Sequence, residues 1–219
     1  MSLPSPLKPP RRIVTGHTPD GRSTTIFNEE VTFKISGDVP APMARLWVTK
    51  GIPVDNNCDQ TIDMKDVVPD RLSLVSTNGT HLCMVDIPPF IPTPDFMHRT
   101  SSIDYAILIS GEITLILEDG SETTLTEPGS IVVQRGTLHD WKNRGTGWTR
   151  FIAVLIDASP VHVSDEQGVI SALPEMIPSP KMLPNLTETA PSLPEIVPSQ
   201  IDEVFSSESS NSASQEPRD

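Results

Sequence analysis

YAILIS (105–110), EITLIL (112–117), ETTLT (122–126), IVVQR (131–135) and TRFIAVLID (149–157) follow one another with little but turn residues between them. The links are Ser110-Gly111, EDGS (118–121), EPGS (127–130) and RGTLH (135–139). Short β-branched segments at this spacing read as the strands of a sandwich or barrel. Asp119-Gly120 sits between two alternating segments, a strong short-range hairpin signal.

The same reading extends outward. RRIVTGH and RSTTIF, joined by TPDG (18–21), predict a hairpin near the amino terminus, and ARLWVTKG (44–51) and HLCMVDIPP (81–89) predict further strands. DNNCDQTIDMKDVVPD (55–70) is polar and acidic and reads as a loop or short helix that would cover one mouth of a barrel. No segment before residue 160 keeps a helical period over ten residues. The expected layout is a flexible amino terminus at 1–11, one all-β domain at 12–158, and a disordered acidic tail at 159–219. The last 60 residues hold nine prolines and end in SSESSNSASQEPRD, too polar to bury a core. Within them LPEMIPSP (173–180) recurs as LPEIVPSQ (193–200), either a docking motif or a chance duplication.

The formal net charge is −13, and residues 161–219 carry ten acidic and two basic side chains, so most of the excess lies in the tail. That balance argues against nucleic acid or an anionic membrane surface as partner. No run approaches the roughly 18 apolar residues of a membrane span, and MSLPSPLKPPRR lacks the apolar core of a secretory signal. A cytoplasmic location is therefore expected. Cys58 and Cys83, without CxxC spacing, read as free thiols.

Five histidines are present: His17, His81, His98, His139 and His162. The pattern around two of them is informative: MHRTSSIDY (97–105) followed by Gly111, and GSIVVQRGTLHDWKN (129–143). His98 and Thr100, two residues apart on an extended segment, share a face. These residues resemble the cupin superfamily. Its first motif has two histidines one residue apart, a glutamate, then a glycine. His98 stands at the first histidine, Thr100 at the second, Asp104 at the glutamate and Gly111 at the glycine. The second motif opens at Gly129, passes through Gly136 and closes with His139 and Asn143. Thr100 for histidine, Asp104 for glutamate and Gln134 for proline depart from the pattern.

The resemblance covers about residues 80–157 and implies a double-stranded β-helix barrel, jelly-roll-like, with the His98 face towards the lumen. It implies a metal site of His98, Asp104 and His139, with Thr100 leaving the fourth position open. The two rings should then lie within about 6 Å of each other, since bonds to a shared ion are roughly 2 Å. Two imidazoles and one carboxylate suit non-haem Fe(II), the favoured divalent metal, while zinc, manganese or nickel also fit. The string MHRTxSxDY looks like that of small cupins encoded beside fungal polyketide synthases and described as cupin-type oxidoreductases. What this implies is a metal-dependent oxidoreductase acting on an oxygenated small molecule, an aromatic or polyketide intermediate of secondary-metabolite biosynthesis. Decarboxylation or isomerisation on the same Lewis acid, and a metal-free small-molecule-binding cupin, stay open as alternatives.

Thr100, Gln134, Arg135 and Trp141 are expected to contact substrate. Gln134 would hydrogen-bond to it, Arg135 at a loop entrance would hold an acidic group, and Trp141, two beyond His139, would line a pocket for a flat ring. No catalytic residue is assigned. Arg99 and Tyr105 should point away from the lumen, and His17, His81 and His162 lie in turn or edge contexts and read as structural. No Ser-His-Asp set, phosphate loop or dinucleotide fingerprint is present. Small cupins commonly pair, so a homodimer is expected.

Overall fold

Alternation of more and less buried residues with a period of two runs through Arg11–His17, Met43–Lys50, Gly79–Ile87 and Ser102–Ser110, and every segment predicted above as a strand folds as one. The computed structural model describes residues 4–35, 41–57, 59–67, 74–89 and 96–176. The strands are β1 (Arg11–His17), β2 (Ser23–Glu30), β3 (Met43–Lys50), β4 (Gly79–Ile87), β5 (Ser102–Ser110) and β6 (Ile113–Leu117). They continue with β7 (Glu122–Leu125), β8 (Ile131–Arg135), β9 (His139–Lys142), β10 (Thr149–Asp157), β11 (His162–Ser164) and β12 (Ile170–Ala172). The acidic loop holds one 3-10 turn, Met64–Asp66. Among the described residues no helix is long and apolar enough to cross a membrane. The chain divides into Met1–Pro184 and Asn185–Asp219, and the second unit, with the second LPE motif, lies outside the described residues, as does Cys58.

Five strands form a wide sheet in the order β3-β4-β10-β5-β8, and three form a narrow sheet, β7-β6-β9. Ala106, Leu108 and Phe151 of the wide sheet pack with Ile113 and Trp141 of the narrow one, which closes the lumen between them. All the pairings are antiparallel. This is the double-stranded β-helix. Gly111 turns the chain from β5 to β6 at φ +80°, and a Cβ there would lie 2.6 Å from the Trp148 carbonyl oxygen. The motif glycine is thus demanded both by the left-handed backbone and by close approach.

The outer face of the wide sheet is covered by the predicted hairpin β1–β2. Val31 and Phe33, just beyond it, pack with Ala44, Leu46, Leu82, Met84 and Ile152. Arg12, 8% exposed, donates to the Leu46 carbonyl at 2.9 Å and pairs with Glu29 and Asp63, tying hairpin, β3 and acidic loop together. A second buried arginine holds the opposite end. Arg150 Nε and Nη2 each lie 2.6 Å from the two Asp86 oxygens, and Nη1 donates to the Lys8 carbonyl at 2.8 Å. Its guanidinium also stands 4.9 Å from the centre of the Phe33 ring. Residues 8–10, expected to be flexible, are therefore fastened: Pro10 also accepts from the Val31 N–H.

The start of the acidic tail differs from the sequence expectation too. β11 and β12 pair as an exposed hairpin, and beyond it Met176 exchanges two backbone hydrogen bonds with Arg99, at 2.8 and 2.9 Å. Glu175 accepts from the Ser101 N–H. Composition forbids this segment a core of its own, but the 98–101 edge offers unpaired backbone groups, and an edge recruits whatever strand can reach it.

Asp86 and Arg150 are both nearly inaccessible, so removing one leaves the other a buried unpaired charge. Asp86→Ala is expected to destabilise the fold by about 3–5 kcal/mol in urea unfolding. The double variant Asp86→Ala/Arg150→Met should lose less than the single one; an additive loss would show the pair contributes nothing by being together.

Candidate functional site

His98 and His139 are brought together by one backbone bridge. Each N–H donates to the other's carbonyl, at 2.8 and 3.0 Å, which extends the narrow sheet by the strand that carries His98. Opposed residues of such a bridge put their side chains on one face, and the two rings stand 4.0 Å apart, centre to centre, inclined at 50°. Nδ1 of His98 lies 2.9 Å from the Phe96 carbonyl, and Nδ1 of His139 lies 2.9 Å from the Thr137 carbonyl. A carbonyl only accepts, so both Nδ1 atoms carry the proton and both Nε2 atoms are bare in the neutral ring. Burial favours that neutral form. It lowers His98, and with the neighbouring His98 ring it takes His139 down to about 3.

Asp104 points inward, 8% exposed. Burial raises its carboxyl to about 6, against a hydrogen bond from Ser102 Oγ to Oδ1 at 2.6 Å. Ser102 Oγ is 2.7 Å from Thr100 Oγ1. Because Ser102 commits its proton to Asp104, Thr100 is the donor of that second bond. The threonine in the histidine position therefore feeds a hydrogen-bonded chain, Thr100 to Ser102 to Asp104, all three buried. Gln134 stands directly opposite Asp104 on β8 and is buried on the same face. Trp141 packs edge-on against His139 at 6.0 Å and stacks towards Phe151 at 5.6 Å, on the lumen side as its spacing predicted.

Arg135 is exposed and points to the opposite side of β8 from Gln134. It lines a cavity of about 380 Å³ with Arg99, Gly136 and Val161, beneath the carboxy-terminal segment and not in the Asp104–Gln134 row. Arg99 likewise points away from His98, yet the Met176 strand covers it to 8% exposure. Tyr105 faces outward.

No family model matches the chain. It is 34% identical over 169 residues to the cupin-domain-containing oxidoreductase virC of Hypocrea virens, covering 75% of this chain and 84% of that protein. The chain belongs to the cupin-domain-containing oxidoreductases. It is also 32% identical over 162 residues to phomopsin biosynthesis cluster protein D of Diaporthe leptostromiformis, covering 72% of this chain and 83% of that one. Among solved structures, the polyketide cyclase RemF of Streptomyces resistomycificus is 18% identical over 57% of this chain and 73% of its own, with a TM-score of 0.39.

In this cupin the last residue of the second motif, Asn143, plays a structural part. Asn143 Nδ2 donates to the Ile87 and Gly147 carbonyls at 3.0 and 2.8 Å, and its Oδ1 accepts from the Gly145 N–H. Asp140, unremarked in the sequence, accepts from the Phe96 N–H at 3.1 Å and so fixes the segment whose carbonyl orients His98. Of the three ligands expected, the fold joins His98 and His139 closely, while the Asp104 carboxylate is held by Ser102. Among the described residues no set of three or more His, Cys, Asp or Glu side chains gathers as a metal site. The donor chemistry still suits a divalent cation: two neutral imidazoles with bare Nε2 atoms fixed through Nδ1, and an inward carboxylate.

His81 was read as structural from its position near a turn, but it is fully buried on the lumen side of β4, with Nε2 2.7 Å from Ser76 Oγ and no partner for Nδ1 among the described residues. Burial, with the charge of Arg45 second, takes it down to about 4. The unfolded chain therefore binds a proton here below about pH 6.5 that the folded chain refuses. The stability this residue contributes is complete above pH 6.5 and is lost as pH falls towards 4. Urea midpoints measured across pH 4–7 should fall less steeply in His81→Gln than in the parent protein; parallel curves would show that His81 does not titrate on unfolding.

Proposed function

We propose that the protein is a metal-dependent oxidoreductase of a secondary-metabolite biosynthetic pathway, and that its substrate is an oxygenated aromatic or polyketide-derived small molecule bound in the lumen. The observation that supports the reading is the imidazole pair, whose Nδ1 contacts to backbone carbonyls leave both Nε2 atoms unprotonated in the neutral ring. The relatives support the setting: one is named a cupin-domain-containing oxidoreductase, another a biosynthesis cluster protein.

His98 and His139 would hold the metal, with Asp104 as the third ligand. When bound, a divalent metal supplies Lewis acidity and, as Fe(II), the capacity for redox chemistry with dioxygen. The chain's own residues do the rest. The Phe96 and Thr137 carbonyls keep both rings in one tautomer and orientation. Thr100 and Ser102 direct donors towards Asp104 and hold the carboxyl in place. Trp141, with Phe151 behind it, offers an apolar wall for a flat ring, and Gln134 offers an amide to a substrate oxygen. Decarboxylation or isomerisation would use the same residues without net oxidation.

Metal analysis of the purified full chain tests this directly. About one equivalent of divalent metal is expected, with metal and turnover lost together in His98→Ala and in His139→Ala, because affinity depends on the full donor set. Thr100→His should add an imidazole and tighten metal binding. Turnover undiminished in His98→Ala would sink the reading.

The homodimer we propose has a face suited to it. On the outside of β5 and β8, Tyr105, Ile109, Ile131 and Val133 are 41%, 40%, 62% and 57% exposed, beyond the cover of the amino-terminal hairpin. Tyr105 and Val133 stand opposite each other in register, so the apolar residues are contiguous. Sedimentation at micromolar concentration should give a dimer for the parent chain and a monomer for Ile131→Asp/Val133→Asp.

A further inference from the structure

The cavity of about 380 Å³ that Arg99 and Arg135 line has a size within the roughly 300–1,000 Å³ of small-molecule pockets. It does not belong to the lumen. Arg135 on β8 stands opposite Ile103 on β5, and both point outward because their neighbours Gln134 and Asp104 are buried on the inner face. The roof is the segment that leaves β10, whose Ala158, Pro160, Val161 and Leu173 line the space. Three hydrogen bonds tie that roof down. Ala158 N–H donates to the Ser101 carbonyl at 3.1 Å, Leu173 N–H to the Val161 carbonyl at 2.8 Å, and Ser101 N–H to Glu175 at 3.0 Å. Gly136 lets the walls approach: it has φ +59°, and a Cβ there would stand 3.2 Å from Val161 Cγ2. The space is a pocket with anchored walls.

Its polar lining is cationic. Arg99 is 8% exposed, and its Nε has no hydrogen-bond partner among the described residues. Its Nη2 reaches Glu118 only at 3.5 Å, and that carboxylate is itself 69% exposed. Arg135 makes no hydrogen bond or ion pair among the described residues. No Asp or Glu among them lines the cavity. Native interiors seldom leave a buried donor bare, and a second guanidinium on the same cavity adds repulsion that an anion would relieve. The planar fork of a guanidinium matches a carboxylate. The rest of the lining, Ile103 with the four roof residues, is largely apolar. A bare inorganic anion would leave that surface uncovered, and a neutral apolar molecule would leave Arg99 uncompensated.

We infer that this cavity is a second small-molecule site, taking a carboxylate with a compact apolar body. The acid lies between Arg99 and Arg135, and the body lies beneath Val161 and Leu173. The site stands beside the proposed metal ligands without including them: Arg99 follows His98 in the chain, and Thr100 and Ser102 separate the cavity from Asp104.

The test is calorimetric titration of the full chain with phenylacetate and with phenylacetamide, which keeps the shape and removes the charge. Phenylacetate is expected to bind, and the amide about tenfold or more weakly. Arg99→Met and Arg135→Met should each weaken phenylacetate by about tenfold. Val161→Asp, which sets a carboxylate in the roof, should abolish binding. Arg135 and Val161 are exposed, so their variants keep the inference open to refutation even if Arg99→Met fails to fold. Equal binding of acid and amide, or no binding of the acid at millimolar concentration, overturns the inference. So does binding that either Arg135→Met or Val161→Asp leaves unchanged. His98→Ala should not alter the phenylacetate affinity, and a loss there would place the acid in the lumen and sink the second site. A chain that holds no metal yet binds phenylacetate through Arg135 refutes the metal reading and keeps this one.

Discussion

The register of β10 between β4 and β5 is the constraint on which the rest depends. β10 is the central strand of the wide sheet, and nearly all its residues are paired on both sides at once. A slip by one residue on either side would turn His81 or Asp104 out of the lumen, because successive side chains alternate faces. The bidentate Arg150–Asp86 pair opposes such a slip. The two residues stand directly opposite across β10 and β4, and any other register would leave both charges buried without a partner. The same guanidinium reaches the Lys8 carbonyl and the Phe33 ring, so the register of the sheet and the seating of the amino-terminal cover are fixed by one side chain.

The lumen is divided by polarity. One end is a packed apolar cluster of Leu108, Ile113, Phe151 and Trp141. The other collects His98, His139, Thr100, Ser102, Asp104, Gln134 and His81, all but His98 inaccessible or nearly so. Desolvation is the leading cause of each shift there, and it pushes acids and bases towards neutrality from opposite directions: the imidazoles fall and the Asp104 carboxyl rises. Burial thus keeps the imidazoles in the neutral form that a cation requires, and a cation beside Asp104 would favour its carboxylate.

Two peripheral segments protect the barrel in different ways. The amino-terminal hairpin buries apolar surface of the wide sheet, a side-chain contribution anchored by Arg12. The carboxy-terminal segment does little of that, since β11 and β12 are exposed throughout. What it supplies is backbone hydrogen bonds to the 98–101 edge, with Met176 and Glu175 opposite Arg99 and Ser101. The strand carrying His98 is thereby paired on both edges, through His139 on one side and Met176 on the other, which limits how far the imidazole can drift.

The sequence by itself determined strands β1 to β8 and β10 and the motif residues, while β9 begins in a segment read as a loop and β11 and β12 lie in one read as a disordered tail. Alternation along a strand and the turn chemistry of Ser110-Gly111 or Asp119-Gly120 are properties of neighbours, legible without a fold. The spacing of His98, Asp104, Gly111 and His139 was legible for the same reason, and so were the outward turn of Arg99 and Tyr105 and the inward turn of Trp141. Only the tertiary structure decided what stands opposite what. His81 looked like a turn residue because its local context is Asn78-Gly79-Thr80, yet pairing through β10 puts it in one row with Asp104 and Gln134. Arg99 was read correctly as pointing outward but is buried by Met176, a partner far along the chain. Composition described residues 159–176 as unable to form a core, which is true of the segment alone, but an open strand edge elsewhere supplied its hydrogen bonds. Cross-strand register is a contact between residues remote in sequence, set by packing of the whole barrel, and no local pattern encodes it.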